Sequence, residues 1–275
     1  FRRWGALALG TLLLVGSAYS TYNYYYSPEY AKDHFAAVGA DLAAALQPGD
    51  GLVMVPTEMV RLYRHYLPLD LIERAVSGQA RAAGEPRNAW QSLPQLGAPW
   101  EVTEARLRAM LGRHRRIWLV ASGMVPLSPF QQEAREWLSA NAFLVQDNGY
   151  DSNTLLWLKL YLPQAPVFPA LPATVQHPVS AAFGARVRLS GYDIGQPLSA
   201  ASVTPVTLYW QPAQVLDRRY KYILRWAGAD GAPLAAAGHT EREPYYGLLP
   251  TTMWGLGQTI VEYSELPPRT AELAP

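Results

Sequence analysis

Two short runs constrain this chain more than any other feature: "GLVMVP" at residues 51–56 and "RIWLVAS" at 116–122. Neither alternates apolar with polar residues, as a strand with one wet face does. A strand that is apolar along its length is buried on both faces, so its sheet needs a covering layer on each side. Helical patterns supply those layers. Phe35, Val38, Leu42 and Leu46 recur at helical spacing before the first run, and Pro48-Gly49-Asp50 ends that helix. Residues 57–67, 103–113 and 128–141 also read as helices, the last opening on Ser-Pro and closing at Asn141. The polar stretch 77–100, with its prolines and glycines, reads mainly as loop. "AFLVQD" and "TLLWLKLYL" follow as strands. The alternation over residues 28–163 predicts a small α/β layered domain.

Beyond residue 163 the pattern changes. Five prolines between 163 and 178, set among small residues, predict a linker over 164–178. "ARVRLSGYDI", "VTPVTLYWQP", "RRYKYILRWAG" and "TIVEYSEL" then read as strands. Tyr220, Tyr222, Leu224 and Trp226 alternate, as one buried face of an antiparallel strand should. Residues 179–275 are therefore expected to form an antiparallel β-sandwich. About seven strands complete such a sandwich, and five or six are readable here. An incomplete sandwich with an open edge is the expectation.

The start of the chain raises a separate question. Residues 4–19 carry no charge. Arg2, Arg3 and Trp4 stand at one end of this run, and Tyr19, Tyr22, Tyr24, Tyr25 and Tyr26 at the other. Basic residues on the cytoplasmic side and tyrosines at the headgroup layer are the flanks of a membrane helix. A transmembrane helix over residues 4–22 is the leading expectation, with residues 1–27 as helix plus aromatic interface. It makes membrane lipid a partner, with a single span and the bulk of the chain extracytoplasmic. A signal-like segment and a buried helix are the alternatives. The first residue is Phe, which reads as the cut end of a longer chain. The fold class expected for the whole is thus α+β and multidomain.

Composition narrows the chemistry. The 275 residues carry a net charge of +1, which leaves no electrostatic footprint for nucleic acid. With no cysteine, disulfide frameworks, thiolate metal sites and cysteine nucleophiles are excluded. The five histidines, His34, His65, His114, His177 and His239, show no metal-ligand spacing, and each reads as surface or structural. No nucleophile elbow, Walker loop or dinucleotide fingerprint occurs. "DNGYDSN" at 147–153 loosely resembles a calcium loop, but its twelfth position is Leu158, so a turn is expected. The cluster "RHRR" at 113–116 reads as a solvated entrance to a strand rather than an anion site. No catalytic or metal-binding residue is assigned. Tyr245, Tyr246 and Trp254, set among turn residues, are candidates for glycan contact through ring stacking; the competing role for Trp254 is to cap the sandwich core.

The order of parts carries a resemblance. "YNYYYSPEYAKDHF" runs into a helix ending "LQPGD", and later come "FGARVRLSGYDI", "PVTLYWQ", "DRRYKYILRWAGADGAPLA" and "PTTMWGLGQTIVEYSELP". Together they resemble the end of bacterial membrane glycosyltransferases of the GT-C superfamily, in the protein mannosyltransferase-like or ArnT-like branch, with an appended β-sandwich. The resemblance implies a parent enzyme that moves sugar from a polyprenyl-phosphate carrier, with a divalent metal as the only other cofactor left open. It places the catalytic acid in an early loop that these residues do not contain. The chain is then expected to be a non-catalytic carboxy-terminal region, inactive alone and holding no cofactor. The alternative is a membrane-anchored module that binds glycan or only supports structure.

Overall fold

The computed structural model describes residues 2–26, 34–55, 59–67, 90–92, 99–123, 129–150, 154–197, 202–234 and 238–268. Its architecture is α+β, with one mixed sheet and one antiparallel sheet.

The first helix, α1 (Arg2–Tyr26), covers the uncharged opening. The expected membrane span is not supported: among the described residues no helix is long and apolar enough to cross a membrane. The strongly apolar block, Leu12–Val15, is short. Gly10, Thr11, Gly16, Ser17, Ser20, Thr21 and Asn23 dilute it on both sides. The single-span placement, with the bulk of the chain extracytoplasmic, falls with it. Of the residues expected at a membrane interface, Trp4, Tyr19, Tyr22, Tyr24, Tyr25 and Tyr26 are exposed. The tyrosines pack on one another, Tyr22 with Tyr26 and Tyr24 edge-on to Tyr25. The side chains of Arg2 and Arg3 lie outside the described residues.

The next unit is a sheet between helices. Its strands are β1 (Gly51–Val55), β2 (Trp90–Ser92), β3 (Ile117–Gly123), β4 (Phe143–Tyr150) and β5 (Leu155–Leu162). They lie in the order β2-β1-β3-β5-β4. β1 pairs in parallel with β2 and β3, and β5 pairs antiparallel with β3 and β4. β2 falls in a stretch whose composition reads as loop; three residues are too few for any periodicity to show. The helices are α2 (Phe35–Ala45), α3 (Met59–Tyr66), α4 (Trp100–Arg113) and α5 (Pro129–Asn141).

The two apolar runs are buried on both faces, and period 2 explains how. Leu52, Met54, Trp118 and Val120 join the core of α2 and α3. Val53, Val55, Ile117 and Leu119 face Leu107 and Met110 of α4 and Leu138 of α5. At Gly39 a side chain would stand 2.9 Å from Cβ of Tyr66, so a glycine there lets α2 and α3 approach.

The second unit is an antiparallel sheet of β6 (Val167–Phe168), β7 (His177–Phe183), β8 (Val187–Ile194), β9 (Thr204–Pro212) and β12 (Thr259–Leu266), ordered β6-β12-β9-β8-β7. The proline-rich stretch expected as linker contains β6, which pairs with β12. A two-stranded ribbon, β10 (Tyr222–Arg225) and β11 (His239–Arg242), lies over this sheet. One apolar core runs through both units, from Leu42 and Trp118 to Leu208, Trp254 and Ile260. Phe143 meets Tyr245 edge-on across the junction, and Gln47 Nε2 donates to Ser264 O.

Candidate functional site

The ribbon leaves part of the antiparallel sheet uncovered. Between them opens a cleft of about 450 Å³, lined by Phe183, Leu189, Trp210, Tyr222, Leu224 and Trp254 among others. Its size falls within the ~300–1,000 Å³ of small-molecule sites. The period-2 geometry of strands builds it: Leu208 and Trp210 project from β9, and Tyr222 and Leu224 from β10. Phe183 stands edge-on to Trp210 at 5.7 Å, and Tyr222 is tilted against Trp210 at 6.2 Å. The Trp210 ring is 7% exposed, and its indole N–H has no hydrogen-bond partner. A buried donor without an acceptor costs roughly 1–3 kcal/mol. Arg186 and Lys221 also line the cleft, each ion-paired with a carboxylate, Asp217 and Glu241 respectively.

Behind Tyr222 lies a buried polar network. Glu262 of β12 is fully buried. It accepts from Tyr222 Oη at 2.7 Å, Arg242 Nη2 at 3.3 Å and the Tyr245 backbone N–H at 3.2 Å. Arg242 of β11 donates through Nη1 to Glu265 at 2.8 Å, through Nε to Tyr222 Oη at 2.7 Å, and through Nη2 to Tyr263 O. Burial pushes the Glu262 carboxyl up to about 7, although the Arg242 guanidinium and the Tyr222 and Tyr245 hydrogen bonds pull the other way. Burial also works against the charge on Arg242, but the surrounding carboxylates, Glu265 foremost, outweigh it and keep the guanidinium charged. The Tyr222 hydroxyl is held above its usual range by burial and by the Glu262 charge.

The three aromatic residues singled out from sequence do not converge. Trp254 lines the cleft, and its indole N–H donates to Leu249 O. Tyr245 is buried, with its hydroxyl donating to Val261 O. Tyr246 is half exposed, with the Arg242 guanidinium 4.4 Å from its ring centre. Tyr245 and Tyr246 both adopt left-handed backbone conformations, φ 49° and 54°. A non-glycine residue there costs on the order of 1–3 kcal/mol and persists only where its surroundings hold it. The Glu262 and Val261 hydrogen bonds supply that hold for Tyr245.

Sequence reasoning missed Trp210, Phe183 and Glu262. Trp210 sits in an almost wholly buried strand whose pattern says only that it is inside. Glu262, an acid between valine and tyrosine in an apolar run, was the one legible signal of a buried charge.

The "RHRR" cluster is also not simply solvated. Arg116 is buried, with Nε 3.0 Å from Asp50 Oδ1 and Nη2 donating to Ala45 O. Burial holds the Asp50 carboxyl above its usual range, with the Arg116 charge opposing. In the "DNGYDSN" stretch, Asp147 lies in β4 and pairs with Lys159, while residues 151–153 fall outside the described residues. Among the described residues no group of three or more histidines and carboxylates is placed to hold a metal ion.

No family model, no curated protein and no solved structure matches this chain.

Proposed function

We propose that this chain is a non-catalytic, ligand-contacting region of a glycosyltransferase that uses a polyprenyl-phosphate sugar donor, and that the cleft beneath the ribbon is where it meets glycan. The observation that carries this reading is the aromatic lining of the cleft, with the donor side chains of Arg186 and Lys221 beside it. Sugars present apolar C–H faces, which stack on aromatic rings, and hydroxyl oxygens, which accept hydrogen bonds. Phe183, Trp210, Tyr222 and Trp254 supply the first partner, and the Arg186 and Lys221 side chains that line the cleft supply the second. The glycosyltransferase part rests on the resemblance of residues 22–50 and 183–267 to that superfamily's end region.

The test is titration of the full chain, by tryptophan fluorescence and calorimetry, with a panel of oligosaccharides and a short-chain polyprenyl-phosphate sugar. The expected result is saturable binding to at least one probe. Lys221→Met removes a donor at the cleft wall and leaves the aromatic lining in place; it should weaken binding about tenfold, the worth of one hydrogen bond of ~1.4 kcal/mol, without lowering the melting temperature. No response to any probe at millimolar concentration would overturn the reading. Binding of free glycan, with no preference for the carrier-linked form, would make the chain a glycan-recognition module unconnected to transfer.

A further inference from the structure

We propose that Glu262 is a proton-controlled latch on the β10–β11 ribbon: its ionisation releases the ribbon from the sheet and widens the cleft. The proposal rests on the reading of that cleft as a binding site, and it adds the site's regulation.

The geometry makes Tyr222 the link. Its ring lines the cleft, and its hydroxyl reaches through to Glu262 and stands 2.9 Å from Ser264 Oγ. The other strand of the ribbon is tied to the same carboxylate by Arg242. Three further bonds fasten the ribbon and its turn to β12 and the residue that follows it: Arg242 to Glu265, Thr240 Oγ1 to Glu265 O, and Trp226 Nε1 to Pro267 O. Glu262 is thus sealed beneath the ribbon, and water reaches it only if the ribbon moves.

Groups face it from every side. Arg242 comes from β11, Tyr222 from β10, Tyr245 from the turn Pro244–Gly247, and Glu265 from β12 itself. Tyr246 stacks on Arg242. From the α/β unit, Arg116 lines the same small cavity as Arg242, Tyr246 and Glu265. Tyrosines and arginines do not change charge near neutral pH in this setting. His239 stands at the exposed end of β11, 4.0 Å from Glu241 and away from Glu262.

Linkage sets the direction. Under the closed ribbon the carboxyl titrates at about 7, whereas an unperturbed glutamate titrates at 4.5. The closed form therefore binds the proton more tightly. Acid favours closure, and raising the pH through 7 favours opening, by up to a few hundred-fold in the equilibrium constant.

Hydrogen exchange on the full chain without ligand, at pH 5.5 and 8.0, tests this after correction for intrinsic exchange rates. Protection of the amides in 222–225 and 239–242 should fall at least tenfold at the higher pH, while β8 and β9 stay unchanged. Glu262→Gln, which mimics the protonated acid, should abolish that pH dependence. Glu265→Gln and His239→Asn should retain it. Equal protection at both pH values, or a fall that persists in Glu262→Gln, overturns the proposal. Should that variant not fold, carboxyl NMR of the wild-type chain decides: a Glu262 midpoint near 7 supports the latch, and one below 5 overturns it. No ligand enters these measurements, so failure of the glycan titrations and failure of the latch are separate results.

Discussion

Asp50→Ala is expected to be the most damaging single change in the α/β unit. Asp50 Oδ2 accepts from the Gln47 backbone N–H and from Trp118 Nε1, each at 2.9 Å, and Oδ1 pairs with Arg116 at 3.0 Å. The side chains of both charged partners are only 2–3% exposed. Truncation leaves the guanidinium buried without a counter-charge, which costs ~3–5 kcal/mol. Two buried N–H groups lose their acceptor as well, at roughly 1–3 kcal/mol each before relaxation. These terms overlap, because one inserted water relieves several of them, so about 4–5 kcal/mol is the expected loss. Arg116→Met in the same chain removes the stranded charge. The double variant Asp50→Ala/Arg116→Met should therefore lose only about 2 kcal/mol, less than Asp50→Ala alone. Urea unfolding followed by tryptophan fluorescence measures the series, since Trp118 sits at the pair. A loss below 1 kcal/mol for Asp50→Ala, or a double variant as unstable as the sum of the singles, would refute the reasoning. The pair also braces the junction, since Gln47 next to it donates to Ser264 O of the antiparallel sheet.

Glu262 should leave a mark on stability as well as on exchange. Its folded value of about 7 lies above the 4.5 of an unperturbed glutamate, so its contribution is fully present below 4.5 and is lost as pH rises through 7. That difference is worth about 3 kcal/mol, and Glu262→Gln should flatten this part of the stability–pH curve; an unchanged slope in the variant counts against the buried acid. Gly39→Ala places a methyl 2.9 Å from Cβ of Tyr66 and should cost ~1–3 kcal/mol by overpacking α2 against α3. A thermal melt within a degree of wild type would show that the two helices do not meet as described. Tyr246→Ala should weaken the ribbon through lost stacking on Arg242, by ~1 kcal/mol, read as faster exchange at 239–242 with β8 and β9 unchanged; equal exchange would remove Tyr246 from the network.

Local pattern settled a definite part of this protein. The apolar runs within 51–56 and 116–122 read as strands covered on both faces, and β1 and β3 are buried at every position. The alternation of Tyr220, Tyr222 and Leu224 marks a strand side that packs inward. Helical spacing at Phe35, Val38 and Leu42 places α2. These are short-range signals, because the backbone repeats every 2 or 3.6 residues and the side chains must follow.

What an element packs against is a long-range fact, and there the sequence alone stopped. An uncharged opening run looked like a span, yet the small and polar residues through it leave no helix apolar enough to cross a membrane. The proline-rich stretch looked like a tether, but Val167–Phe168 pairs with a strand nearly a hundred residues later. Tyr245 and Tyr246 go to a core and a cation because successive side chains leave a tight turn in different directions, while Trp254, after a second turn, goes to the cleft. Phe183, Trp210 and Tyr222 come together because β7 to β10 fold back over one another, and the same fold seals Glu262 beneath Arg242. Burial and pairing of a charge depend on atoms brought in from distant strands, so only the tertiary structure decided that this one glutamate holds its proton near neutral pH.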